Sequence, residues 1–219
     1  MAYEDLAACI AGVWIAGGTT VQKAMTVNQE TATAVKGFIK GARVVQEEVV
    51  MVAGAPMGVA TLEIRLQGDQ GLGGKLPPRW RGDTQKTEAP LSSAPQPRQE
   101  GQPPLTRPAV DGLILDARGL SARPALYPEV MAEGGRTVYH WHGVDREHRE
   151  VFGRVTNTVE KAKALLQAQG AAHPLVVKVG RMEGPTNYVL SVEDAKSVLD
   201  ADWTTQLLRK SRVIFVLGL

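Results

Sequence analysis

With 219 residues, 43% of them hydrophobic, the chain can hold one large or two small folded units around a real apolar core. Its 25 Lys and Arg nearly cancel its 23 Asp and Glu, and the densest basic stretch, Arg209-Lys210-Ser211-Arg212, is short, so there is no electrostatic case for nucleic acid or an anionic membrane surface. One cysteine, Cys9, excludes an internal disulfide framework and a cysteine-rich zinc knuckle, and no apolar run approaches the ~20 residues that span a bilayer.

The opening stretch, MAYEDLAACIAGV, sets Tyr3, Leu6, Ala7 and Ile10 on one helical face. The sequence therefore reads as starting inside an amphipathic helix, N-terminally truncated and with no signal peptide in this chain. Leu6-Ala7-Ala8-Cys9 spells a lipobox, but an acidic pentapeptide stands where a basic segment and an apolar stretch are required. Cys9 is accordingly expected as a small buried thiol. GVWIAGGTTV predicts a short strand, a Gly17-Gly18 turn and further β-formers. QETATAVKGFIKGA predicts a helix with Val35, Phe38, Ile39 and Ala42 inward and Gly41 as its stop. RVVQEEVVMV and GVATLEIRL then predict a hairpin about the turn AGAPMG, the second strand setting Ala60, Leu62, Ile64 and Leu66 on one face. Together these form a first α+β domain, residues 1–66.

Residues 67–108 are rich in Gly and then Pro, with few β-branched side chains, and read as a flexible, partly polyproline linker in which Trp80 is loosely held. Residues 109–219 predict a second α+β domain. DGLILDA lacks alternation and reads as a strand buried on both faces. RTVYHWH, PLVVKVGRM, NYVL and the terminal RVIFVLGL are further strands. TNTVEKAKALLQAQG is a helix capped by Thr158 and closed by Gly170, and SVEDAKSVLDA a helix opened by Ser191. The expected fold is thus α+β: two small sheet-and-helix domains joined by a Pro/Gly-rich linker.

Three stretches invite a chemical reading. GDQGLGGK lacks the first glycine and the hydroxyl residue of a phosphate loop, and Pro77-Pro78 blocks the helix that should follow. YHWHGVDREHRE carries His140 and His142 on one strand face, with His148 placed to fold back as a third metal ligand; the alternative is a solvated strand end and a charged turn. Asp116 and Arg118 leave the end of a buried strand, an arrangement suited to an ion pair that fixes the turn. Catalytic proton transfer ordinarily uses two carboxylates or a histidine, and Ser121 lacks a nucleophile elbow. With no glycine triplet for a dinucleotide either, no catalytic residue and no cofactor is expected.

YEDLAACIAGVWIAGGTTV followed by ATAVKGFIKGARVVQEEV resembles the unit of the LPP-twenty bacterial lipoprotein family. GLILDARGL, RPA, GRTVY, HPLVVK, Gly184-Pro185 and Arg212-Val213-Ile214 resemble a segment found after that unit, similar to parts of the flagellar assembly protein T family. The resemblance implies a non-enzymatic structural or interaction protein of the bacterial envelope, in the periplasm or outer membrane, without a cofactor and flagellum-associated in some members. Its partners would be envelope proteins or copies of itself, and it would meet the membrane only through a missing N-terminal anchor. Edges at GVATLEIRL or RVIFVLGL are the natural docking rails. The alternative functions are a metal-binding protein or metal-dependent enzyme built on His140, His142 and His148, and a ligand- or glycan-binding module using Trp80, Trp141 and Trp203.

Overall fold

The structure, a computed structural model, describes residues 2–81, with the Arg81 side chain left out, and 109–218. The expected linker over residues 82–108 lies outside the described residues. The architecture is α+β, with an N-terminal and a C-terminal part.

The N-terminal part opens with α1 (Ala2–Ala11), β1 (Trp14–Ala16) and β2 (Thr19–Thr20). Ile10 is the buried residue of α1, whereas Cys9, expected inside, is exposed. Two helices follow where one was expected: α2 (Val21–Val27) and α3 (Gln29–Lys40). The β-branched Thr19-Thr20-Val21 run disguises the start of α2, yet Thr20 caps it by accepting from the Lys23 N–H. Asn28 does the same for α3, accepting from the Thr31 N–H at 2.7 Å. The hairpin is β3 (Arg43–Val52) with β4 (Ala55–Glu63). Its turn is tighter than AGAPMG implied. Only Ala53 and Gly54 form it, at φ 49° and 85°, and Ala55 to Gly58 belong to the strand. Positive φ at both central residues is the signature of a turn that matches the twist of a two-residue hairpin.

The stretch after β4 overturns part of the linker expectation. Residues 67–81 fold, with α4 (Leu72–Lys75) and a 3-10 turn (Pro78–Arg81), and Leu72 and Leu76 are fully buried. Glycine here serves close packing: a Cβ on Gly71 would lie 2.1 Å from the Gln67 carbonyl oxygen, and one on Gly74 2.2 Å from that of Asp69. Trp80 is docked as well, its indole N–H donating to Thr31 Oγ1 at 2.7 Å.

The C-terminal part holds two sheets. One is all parallel, in the order β8 (Val155–Thr156), β12 (Val213–Val216), β5 (Gly112–Asp116), β9 (Pro174–Lys178). The other, β10 (Arg181–Glu183), β11 (Asn187–Leu190), β6 (Glu129–Ala132), β7 (Thr137–Tyr139), is mixed. PLVVKVGRM therefore supplies a strand to each sheet. Helix α5 (Val159–Ala168) crosses between β8 and β9 and packs Ala162 and Leu166 on Ile114, Ile214 and Val216; α6 (Val192–Thr205) packs Ala195 and Val198 into the larger core. The terminal strand β12 lies between β8 and β5, so RVIFVLGL is an interior strand and cannot be a docking edge. Burial of all its residues explains its unbroken apolar run.

The two parts share one apolar core. Ile10, Ile15, Val21, Leu72 and Leu76 join Tyr127, Trp141, Phe152 and Phe215 in a single cluster. The residues after β5 form the seam: Leu126 and Tyr127 donate their N–H groups to the Trp14 and Ile15 carbonyls at 2.9 and 2.8 Å. Among the described residues, no helix is long and apolar enough to cross a membrane.

Candidate functional site

At the exit of β5 the Arg118 guanidinium grips Asp116 with both arms, Nε to Oδ1 at 2.9 Å and Nη2 to Oδ2 at 2.7 Å, and the Arg118 backbone N–H adds a third bond at 3.1 Å. These bonds hold the Asp116 carboxyl below the usual carboxylate range, against the opposing effect of its partial burial. A carboxylate so committed is a weak base. What the pair does is local: it closes the turn from which residues 120–128 lead into the seam, where Ala125 bridges to Trp14. There the Tyr127 hydroxyl donates to the Gly73 carbonyl, and the Gln67 amide reaches the Leu126 carbonyl at 3.4 Å.

The histidines are placed differently from the expected strand. β7 stops at Tyr139, and Trp141–Gly143 is a 3-10 turn. The reason is Trp141, whose ring is buried edge-on against Tyr127 and Phe152, at centroid separations of 5.3 and 5.2 Å. Its two neighbours remain together, the His140 and His142 rings 5.9 Å apart. His148 sits in a second 3-10 turn (Arg146–Val151), its Nε2 3.5 Å from Glu147. Burial, and then His142, push His140 below the usual histidine value, while burial pushes the nearby Glu129 carboxyl up. Two carboxylates flanking the histidines are engaged by arginines, Asp145 with Arg209 at 2.9 Å and Glu150 with Arg65 at 3.3 Å. Among the described residues, no group of three or more His, Cys, Asp or Glu side chains could hold a metal ion. His140, His142 and His148 do not converge, and the metal alternative draws nothing from the geometry.

A groove lined by Val155, Thr156, Asn157, Lys161, Ala164 and Leu165 opens widely to solvent along β8 and α5. Of the three tryptophans weighed as binding platforms, Trp141 is interior and Trp80 is engaged with α3; Trp203 is exposed.

The feature that stands out is the β3–β4 hairpin. Among the described residues β3 pairs with β4 alone, and nearly every residue of both strands is exposed. Val49 is 73% and Met51 67% exposed, with Val44, Val45, Val52 and Met57 also open. From Val49 to Val59 the hairpin carries no charge. The charges gather nearer its base, where Arg43 faces Glu63 at 3.9 Å and Glu47 and Glu48 follow. The sequence had marked GVATLEIRL as an edge. It did not reveal that β3 is open too, since Val-rich strands ordinarily signal burial.

No curated protein matches the chain. The comparison also corrects the resemblance drawn from the sequence: the family found is neither the LPP-twenty lipoproteins nor flagellar assembly protein T. GLILDARGL, which carried part of that reading, is strand β5 and the turn that follows it. Residues 112–218, from the first residue of β5 to just past β12, match the family described as Treponema pallidum Tp0624, second domain.

Proposed function

We propose that this chain is a non-enzymatic structural or interaction module that works by presenting its β3–β4 hairpin to a protein partner. One observation carries the reading: an uncharged apolar stretch, exposed on both faces and with a strand edge that is unpaired among the described residues, projects from a body that is otherwise well packed. An isolated two-stranded hairpin is marginal in water, and such an edge invites a further strand. The near balance of charge favours a protein partner over nucleic acid. The bacterial cell envelope is proposed as its compartment; a single cysteine fits a cysteine-poor envelope protein as well as a reducing compartment.

The test is photo-crosslinking in cells, with a photoreactive residue replacing Met51 or, as a control on α6, the exposed Val192. Adducts from position 51 and none from position 192, in the envelope fraction, are the expected result. Equal labelling from both positions, or none from either, overturns the reading.

A further inference from the structure

We infer that the partner of the hairpin is a second copy of this chain, joined through the open edge of β3 in an antiparallel pair centred on Val49. This rests on the interaction-module reading above and specifies its partner.

The register of the hairpin determines which backbone groups face outward. A two-residue turn makes the flanking pair, Val52 and Ala55, the mutually hydrogen-bonded one, and such pairs then alternate with non-bonded ones along the ladder. Val52, Val50 and Glu48 therefore direct their N–H and C=O groups toward β4. Met51, Val49 and Glu47 direct theirs away from it. On the other strand the outward series begins at Pro56, opposite Met51. Proline has no N–H, and it stands where the free edge of β4 would need its donor. The β4 edge is thus interrupted near the turn, although Gly58 and Ala60 keep their outward donors, while among the described residues the β3 edge runs open and uninterrupted from Glu47 to Met51.

That asymmetry favours a second copy. A strand added to β3 of one molecule by β3 of another uses the uninterrupted edge of each, and the β4 edges, each interrupted at Pro56, then lie on the outside. The result is a closed two-fold dimer whose outer edges, each carrying a proline, disfavour a third chain. Centring the antiparallel pair on Val49 sets Val49 against Val49, Val50 against Glu48, Met51 against Glu47 and Val52 against Gln46. Every outward N–H and C=O at Glu47, Val49 and Met51 then has a partner. No like charges stand directly opposite, which removes the repulsion that penalises many self-pairings. One strand per copy is little beside the roughly 20–30 residues a side of a standard interface, so the association is weak and depends on concentration.

Sedimentation of the whole chain over two decades of concentration tests this. The weight-average mass is expected to rise from one chain toward two and no further. Val49→Pro deletes an outward donor without touching the β3–β4 ladder, and Val49→Lys places a charge on the two-fold axis. Both are expected to hold the protein monomeric with an unchanged circular dichroism spectrum. In a Cys9→Ser background, Val49→Cys is expected to form a disulfide dimer under mild oxidation, because bonded antiparallel partners stand about 5.5 Å apart at Cα. Met57→Cys, whose partner across the ladder is Val50, is expected not to. A monomer at all concentrations, growth beyond two chains, or association indifferent to both Val49 variants overturns the inference. If the chain is monomeric yet position 51 crosslinks to a different protein in cells, self-pairing falls and the interaction-module reading stands. If it is monomeric and gives no adduct, both fall.

Discussion

Truncating Leu72 to alanine tests whether the stretch after β4 is part of the core. Leu72 is fully buried, in the cluster that includes Tyr127 and Trp141. Leu→Ala changes in cores cost about 2–5 kcal/mol, the higher values where the surroundings cannot close over the cavity. Here they are pinned. The Leu72 and Gly73 N–H groups donate to the Arg65 and Leu66 carbonyls at 2.9 and 3.0 Å, the Gly73 carbonyl accepts from the Tyr127 hydroxyl, and Gly74 abuts the Asp69 backbone. The expected loss is therefore about 3–4 kcal/mol. For a body of this size that lowers Tm by roughly 6–16 °C. Because the core spans both parts, calorimetry should show one cooperative transition that moves as a whole. A loss below about 1 kcal/mol, the ordinary range for surface positions, would refute the reasoning. So would a new low-temperature transition that leaves the rest unmoved.

Other perturbations read the same structure elsewhere. Gly74→Ala forces a Cβ to within 2.2 Å of the Asp69 carbonyl oxygen, so chemical denaturation should show a loss of about 1–3 kcal/mol; a neutral result would contradict the close packing of the glycines. Asp116→Ala should cost up to about 1 kcal/mol and Arg118→Ala should also lower stability, with a double-mutant cycle showing that the losses overlap. As Asp116 has a depressed folded-state value, its contribution is present above its unfolded value and lost as pH falls through the folded one. Unchanged stability in both variants, with loss of some measured activity, would make the pair functional instead of architectural. His140 is held below its ordinary value, so the unfolded chain takes up the proton first; stability is full above pH ~6.5 and declines as pH falls toward the folded value. Glu129, held above its ordinary value, has the opposite slope at lower pH. Melting curves of His140→Gln should lose the decline below neutrality, and parallel curves for variant and parent would contradict the assignment.

Local signals sufficed for the elements in which one residue type dominates. Thr158 and Ser191 cap α5 and α6 as read, accepting from the Lys161 and Asp194 N–H groups, and the unbroken GLILD run is the buried strand β5. The failures share a cause, which is that composition was read without its partner. Glycines at 71 and 74 look like linker until the Gln67 and Asp69 carbonyls are seen beside them. The strand from Thr137 ends at Tyr139 because Trp141 has an aromatic nest to enter, which no local pattern announces. The hairpin went the other way. Its strands were legible as a hairpin, but only the topology shows that β3 pairs with β4 alone among the described residues and leaves Val49 and Met51 open. Asp116 and Arg118 were legible as a pair, but not the seam to which their turn leads.

The central claim, that β3 offers an open edge for pairing, is tested most directly by residue-resolved amide hydrogen exchange along residues 46–52. In dilute protein the account predicts alternation: protected amides at Glu48, Val50 and Val52, rapid exchange at Glu47, Val49 and Met51. Raising the concentration should protect the second set and leave Val49→Pro unaffected. Uniform protection in dilute protein, uniform exchange, or an alternation that concentration never alters would contradict it.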